Sequence, residues 1–265
     1  MIKLIASDLD GTLLLNGAQT LNPVVFDQIR ALKKMGILFV AASGRQYANL
    51  RRLFAPVADD IAYICENGCI CFYEDKKILK TVMDRQLGQE IMRAIWDKDG
   101  AEILLSGENT SYLQPKKESY AHHMEYVVKN NVTIVDDIFA VPEEYFKISV
   151  YEETGIGSSS QYWQEMFGDR ATVVTSGNEW LDMIPQNINK GVALQKMQEY
   201  LNITPEESMA FGDNYNDIEM LEQVKYNYVM ENAPEDILAT TKYRTRQVET
   251  VLEELITNHF EEEKA

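Results

Sequence analysis

Two aspartates stand one residue apart in the stretch IASDLDGTLLLNG, Ile5 to Gly17. The residues before them are apolar and read as a buried strand, so the pair falls at a strand end. In extended backbone Asp8 and Asp10 project to the same side. Two carboxylates held together repel, and one pKa rises unless they share a cation. A hard ion such as Mg2+ suits them, with water and a substrate phosphate filling the remaining octahedral positions. Asp10-Gly11 between apolar flanks is also compatible with a type I′ hairpin turn. That alternative explains Gly11 and leaves Asp8 unexplained.

A second acidic loop, FGDNYND from Phe211 to Asp217, carries Asp213 and Asp217 around Asn214 and Asn216. Taken alone it reads as an Asx-rich loop capping a helix from Ile218 to Gln223. Taken with the first pair, with Ser43 and with Lys190, it reads as chemistry. A carboxylate nucleophile surrounded by a metal, a hydroxyl and an ammonium makes a phosphoryl-transfer site. Such a site works chiefly by positioning and charge neutralisation.

These residues need elements that bring them together. Lys3 to Ala6 is expected as a strand, and Asn22-Pro23 opens a helix through about Met35. Val25, Ile29 and Leu32 follow i, i+4, i+7 spacing on that helix, and Gly36 sits where a C-cap belongs. A strand at Ile37 to Ala42, a helix through about Phe54 and a strand at Ile61 to Cys65 follow. This βαβαβ order implies a parallel sheet with right-handed crossovers and helices on both faces. Function gathers at the carboxyl ends of such strands, where Asp8, Asp10, Ser43 and Glu66-Asn67-Gly68 fall.

From about Met83 the texture changes. Helices at Leu87 to Asp97 and Ser119 to Lys129 alternate with strands at Ile103 to Leu105 and Phe146 to Tyr151. A third helix carries Tyr162, Trp163, Met166 and Phe167, and strands at Thr172 to Thr175 and Trp180 to Ile184 close the segment. Loosely paired strands suggest a small α+β module with an antiparallel sheet. After Asn189-Lys190-Gly191 the βα rhythm returns with a helix and a strand through Phe211. The expected class is therefore α/β, a Rossmann-like doubly wound core at residues 1–82 and 186–265, interrupted by an inserted module at 83–185.

Composition narrows the partners. With 42 acidic and 25 basic residues the net charge is −17, which opposes nucleic acid or an anionic membrane surface. An anionic substrate then needs a local cation. No apolar run approaches the roughly twenty residues of a membrane span, and no signal peptide is apparent. Cys65, Cys69 and Cys71 are odd in number and crowded, poor material for a disulfide framework. A zinc site lacks a nearby fourth ligand, since His122, His123 and His259 lie far along the chain. The cysteines read as buried thiols in or beside a strand, in a reducing cytoplasm.

The set DLDGT (Asp8 to Thr12), ASGR (Ala42 to Arg45), NKG (Asn189 to Gly191) and GDNYND (Gly212 to Asp217) resembles the motifs of the haloacid dehalogenase superfamily. The order, the spacing and the large insertion are similar to its Cof-type phosphatases, which carry a C2B cap. The resemblance implies that Asp8 is the nucleophile and forms an aspartyl phosphate. It implies that Asp10 protonates the leaving oxygen and then activates water. It implies Mg2+ held by Asp8, the Asp10 carbonyl and Asp213, with Asp217 near the metal. Ser43, Gly44 and Lys190 would bind the phosphate with support from Asn216, and Thr12 and Arg45 would join them at the phosphate or substrate. The implied activity is hydrolysis of a small phosphorylated metabolite: a sugar phosphate, a nucleotide or a cofactor phosphate. A phosphomutase shares the nucleophile and differs in requiring a bisphosphate. A phospho-accepting switch shares Asp, hydroxyl and Lys but has no use for Asp10 or a cap.

Overall fold

The computed structural model describes residues 1–128 and 131–262. Lys129, the side chain of His259 and residues 263–265 lie outside the described residues. The chain opens with β1 (Leu4–Ser7), α1 (Pro23–Lys34), β2 (Leu38–Ala42), α2 (Tyr47–Leu53) and β3 (Ala62–Cys65), the expected βαβαβ succession. The Asn22 side chain accepts the Val24 N–H and Pro23 fills the first turn, so α1 starts where the sequence signals. The strands β4 (Ile70–Tyr73) and β5 (Lys76–Lys80) follow as an antiparallel hairpin that the sequence reading did not separate out. Its turn uses Glu74 and Asp75, both with positive φ. That is the conformation a type I′ turn demands, here met without glycine or asparagine.

The inserted segment contains α3 (Arg85–Asp97), β6 (Ala101–Gly107), β7 (Ser111–Leu113), α4 (Glu118–His122), β8 (Val132–Ile134), β9 (Tyr145–Glu152), α5 (Ser160–Phe167), β10 (Ala171–Thr175) and β11 (Trp180–Pro185). The chain returns through α6 (Lys190–Leu201), β12 (Ser208–Gly212), α7 (Ile218–Glu222), β13 (Tyr226–Met230), α8 (Glu235–Leu238), β14 (Tyr243–Thr245) and α9 (Val248–Glu262).

Two sheets result. The larger has the order β14-β13-β12-β1-β2-β3-β4-β5, parallel from β14 to β3. Its central strand β1 shows the period-2 alternation of a strand covered on both faces. Ile5 joins the core beneath α1 and α9, with Ile29 and Leu252. Leu4 and Ala6 join the opposite core, with Ala193 and Leu194 of α6. Strand order reverses between β1 and β12, and that switch point is where open α/β sheets bind ligands.

The smaller sheet has the order β10-β11-β9-β6-β7-β8. Two expectations need correction here. The sheet is not wholly antiparallel, because β7 pairs with β8 in parallel, α4 carrying the chain between them. The helix expected from Ser119 is α-helical only through His122 and continues as a π-helical turn over His123–Val128. One face of this sheet is apolar: Ile148 and Val150 pack with Ile91, Met92 and Ile95 of α3 and Trp163 of α5. The alternate residues, Lys147 and Ser149, face the larger domain across a cavity. Trp163 is thus a core residue rather than a stacking platform, while Tyr162 and Met166 beside it stay exposed.

Trp163 is fully buried, so Trp163→Ala is expected to cost about 3–5 kcal/mol. Urea unfolding measures this, and a loss below about 1 kcal/mol would contradict the assigned packing.

Candidate active site

Asp8 follows β1 directly, and its backbone N–H still bonds the Phe211 carbonyl at 2.9 Å. The chain then turns tightly, the N–H groups of Thr12 and Leu14 both donating to the Leu9 carbonyl. Gly11 sits at φ +93°, and a Cβ there would lie 2.1 Å from Asp213 Oδ2. Glycine is therefore required twice, by conformation and by the approach of the second acidic loop. The Asp10-Gly11 pair is a loop folded onto Asp213, not a hairpin between ladder strands.

Lys190, the first residue of α6, is fully buried. Its Nζ lies 2.6 Å from Asp8 Oδ1 and 2.6 Å from Asp217 Oδ1. The other oxygen of Asp217 accepts the N–H groups of Asp213 and Asn214, at 3.0 and 3.1 Å. Asp217 thus orients both the lysine and the loop that carries Asp213. Burial pushes the Asp8 pKa well above the ordinary range, and repulsion from Asp217 adds to it against the pull of Lys190. Asp213, also desolvated, is raised to about 6. Burial opposes the Lys190 charge, but Asp217 and Asp8 outweigh it and hold the ammonium protonated.

The side chains of the two aspartates in the opening motif turn to different partners. Asp10 turns to Arg45, whose Nε and Nη2 donate to its two oxygens at 2.8 and 2.5 Å. Its side chain is 55% exposed, against 8% for Asp8. Each carboxylate has its own partner, a division the spacing of the pair does not reveal. Ser43, at the end of β2, is buried, and its Oγ accepts the Arg45 N–H at 3.2 Å. Asn216 donates to Asn67 Oδ1 at 3.1 Å.

A cavity of about 500 Å³ lies between the two sheets. Asp8, Asp10, Ser43, Gly44, Arg45 and Asn216 line its floor. Lys190, Asp213 and Asp217 stand immediately behind Asp8. Thr12, expected at the phosphate, is fully buried and donates instead to Asp213 Oδ1 at 2.7 Å. Sequence reading did not single out the residues of the inserted segment that form the roof: Ser106, Lys147, Ser149, Trp180 and Asp182. The signal was there in FKISVYE, where polar Lys147 and Ser149 alternate with apolar Ile148 and Val150. Which face met the site was not legible.

Carboxylate oxygens of Asp8, Asp213 and Asp217 lie within 4.8 Å of one another. One buried ammonium faces three carboxylates, so the cluster lacks positive charge. An all-oxygen donor set of this kind fits a hard divalent cation rather than a thiophilic one. Cys65, Cys69 and Cys71 are free and buried, around the β3–β4 connection.

A carboxylate at the β1 switch point, a buried lysine behind it and an acidic cluster beside it define a hydrolase of phosphoryl-transfer type. The sequence profile described as haloacid dehalogenase-like hydrolase matches residues 5–252, and the chain belongs to that family as a Cof-type phosphoric monoester hydrolase. It is 33% identical over 252 residues to the 5-amino-6-(5-phospho-D-ribitylamino)uracil phosphatase YbjI of Escherichia coli (strain K12), covering 92% of this chain and 90% of that one. It is 26% identical over 234 residues to the HMP-PP phosphatase of Yersinia pseudotuberculosis serotype I (strain IP32953), covering 88% and 85%. The crystal structure of SMU.1108c from Streptococcus mutans UA159 superposes with a TM-score of 0.86 at 29% identity, over 98% of this chain and 99% of that one. Among the described residues no helix is long and apolar enough to cross a membrane.

A pH dependence follows from the acidic cluster. The Asp213 carboxyl titrates near 6 in the fold against an ordinary 3.8, so the folded state prefers it protonated. Its contribution to stability is full below the unfolded value and is lost as pH rises through the folded one. Metal-free wild type is expected to lose more thermal stability between about pH 4 and pH 7 than Asp213→Asn does. Parallel curves for the two proteins would remove the assignment.

Proposed function

We propose that the protein is a Mg2+-dependent phosphatase that hydrolyses small phosphorylated metabolites through an aspartyl phosphate on Asp8. The observation that carries this reading is the ion pair of 2.6 Å between Asp8, on the floor of a cavity, and the fully buried Lys190 behind it. The lysine pulls a buried carboxylate toward its ionised form, against burial, and would present charge to an arriving phosphoryl group. Asp8, Asp213 and the Asp10 carbonyl would hold Mg2+, with Asp217 behind them, and the bound ion supplies charge neutralisation for the phosphoryl oxygens.

In the first step Asp8 attacks phosphorus, the ester P–O bond breaks, and Asp10 gives its proton to the leaving oxygen. In the second, Asp10 takes a proton from water as that water attacks the phosphoaspartate, releasing phosphate and restoring Asp8. Asp10 reaches both cavity and solvent, and for this two-way role one of its oxygens must leave Arg45 to carry the proton. The Ser43 hydroxyl and the Gly44 N–H would bind phosphoryl oxygens, with Lys190 opposite and Asn216 in support. Thr12 acts from below, holding Asp213.

Residues 83–185 are assigned as the cap, on a core of 1–82 and 186–265. The cavity lining combines the hydroxyls of Ser106 and Ser149 with an apolar cluster of Leu104, Met124 and Trp180. That combination suits an ester with a hydroxylated chain and a flat, less polar end. The ribitylaminouracil phosphate named for the Escherichia coli relative has this form. The net charge of −17 speaks against nucleic acid as a partner. The unpaired cysteines suit a reducing cytoplasm.

The test is phosphate release from a panel of sugar, nucleotide and cofactor phosphates, with and without Mg2+. Release is expected to need the metal and to fall on the order of 10⁴-fold in Asp8→Asn. Asp10→Ala is expected to lose about 10²–10⁴-fold in kcat while keeping its fold and metal affinity. Release that survives Asp8→Asn would remove the nucleophile assignment.

A further inference from the structure

Lys147 lies on β9 of the inserted segment, with its side chain 7% exposed. Its Nζ is 2.6 Å from the Gly44 carbonyl, 2.9 Å from Glu66 Oε2 and 3.2 Å from Asp182 Oδ2. An ammonium has three N–H donors and no acceptor. The Gly44 carbonyl takes one of them, and the Glu66 and Asp182 carboxylates pair the charge. Lys147 borders the cavity with its charge already paired.

The geometry points to Lys147 as a positioning residue that fixes the phosphate loop, acting on the reaction through the Ser43 hydroxyl. This inference rests on the phosphatase reading above. Gly44 and Arg45 share one planar peptide, whose C=O and N–H point to opposite edges. With the carbonyl held by Lys147, the Arg45 N–H is directed to Ser43 Oγ, 3.2 Å away. A hydroxyl has one hydrogen and two lone pairs. Once an N–H occupies a lone pair, the hydroxyl hydrogen is left to point at the cavity, where a phosphoryl oxygen would accept it.

The surroundings hold the same arrangement from two further sides. Asp182 Oδ2 also accepts from Asn67 Nδ2 at 2.7 Å, and its Oδ1 accepts from Ser149 at 2.6 Å. Asn67 in turn accepts from Asn216, and its amide stands 3.1 Å from where a Gly44 Cβ would be. Glu66 and Asn67 are consecutive residues at φ +51° and +54°, a conformation unfavourable for side-chain-bearing residues and kept only by surrounding contacts. Two strands of the inserted segment thus bind the loops carrying Ser43, Asn67 and Asn216 into one network. Docking of that segment and completion of the phosphate loop become a single event.

The experiment is a double-mutant cycle of Lys147→Met with Ser43→Ala, all four proteins holding Mg2+. It reads kcat/KM for p-nitrophenyl phosphate and for a polyol phosphate, and the affinity for inorganic phosphate by calorimetry. Lys147→Met alone is expected to lower kcat/KM about 100-fold on both esters and to weaken phosphate binding. In the Ser43→Ala background it is expected to add less than about 3-fold. Multiplying losses would overturn the inference, because Lys147 would then act independently of Ser43. A loss confined to the polyol phosphate would overturn it too, by making Lys147 a leaving-group contact. Should Lys147→Met fail to fold, Lys147→Gln takes its place; it keeps one donor for Gly44 and must retain more phosphate affinity than Lys147→Ala. A wild type that releases phosphate from neither ester removes the phosphatase reading instead, while the calorimetric cycle still reads the coupling.

Discussion

The ammonium of Lys190, enclosed between Asp8 and Asp217, is the interaction on which the rest of the site depends. Withdrawing a charge of this size from water costs several kcal/mol even after relaxation. It is placed at the first turn of α6, where the helix dipole is also unfavourable to a cation. The two carboxylates at 2.6 Å offset both penalties. The pairing then dictates position: α6 must begin opposite the end of β1, and the loop after β12 must bring Asp217 to the same point. Removing the lysine would leave three close carboxylates without a counter-charge, which explains why core and chemistry are inseparable here.

Charge is used economically in the rest of the molecule. A chain of net charge −17 confronts an anionic substrate, and among the described residues the buried cations are Lys147 and Lys190, both at the candidate site. Lys190 is behind the proposed nucleophile, and Arg45 holds Asp10 at the cavity wall. Lys147 repeats the pattern of Lys190 from the other sheet, one buried ammonium between Glu66 and Asp182. The acidic cluster remains short of positive charge, which is the electrostatic condition for a divalent ion.

Much of the core was legible because local signals and tertiary demands agree. Asn22-Pro23 starts α1 and Gly36 ends it, as capping chemistry requires, and β1 reads as buried on both faces because it is. The acidic loops were legible as a pair because both fall at strand ends. What escaped had partners distant in sequence or conformations without their usual residues. The Asp10–Arg45 pair spans 35 positions, and the spacing of Asp8 and Asp10 says nothing of Arg45. The Glu74-Asp75 turn lacks the glycine that announces a hairpin. Thr12, within a phosphate-binding motif, points inward to Asp213 because Gly11 bends the chain over that loop. Lys147 and Asp182 look like ordinary alternate positions of cap strands until the fold sets them over Gly44 and Asn67.

The central claim is that Asp8, paired with the buried Lys190, becomes covalently phosphorylated. The direct measurement is rapid acid quenching during turnover of a phosphate ester carrying labelled phosphorus, followed by peptide mapping of the trapped protein. The account predicts label on the peptide containing Asp8, lost on treatment with hydroxylamine and absent from Asp8→Asn. Label on a different residue, or turnover with no labelled protein in wild type and in a variant slowed at Asp10, would contradict it.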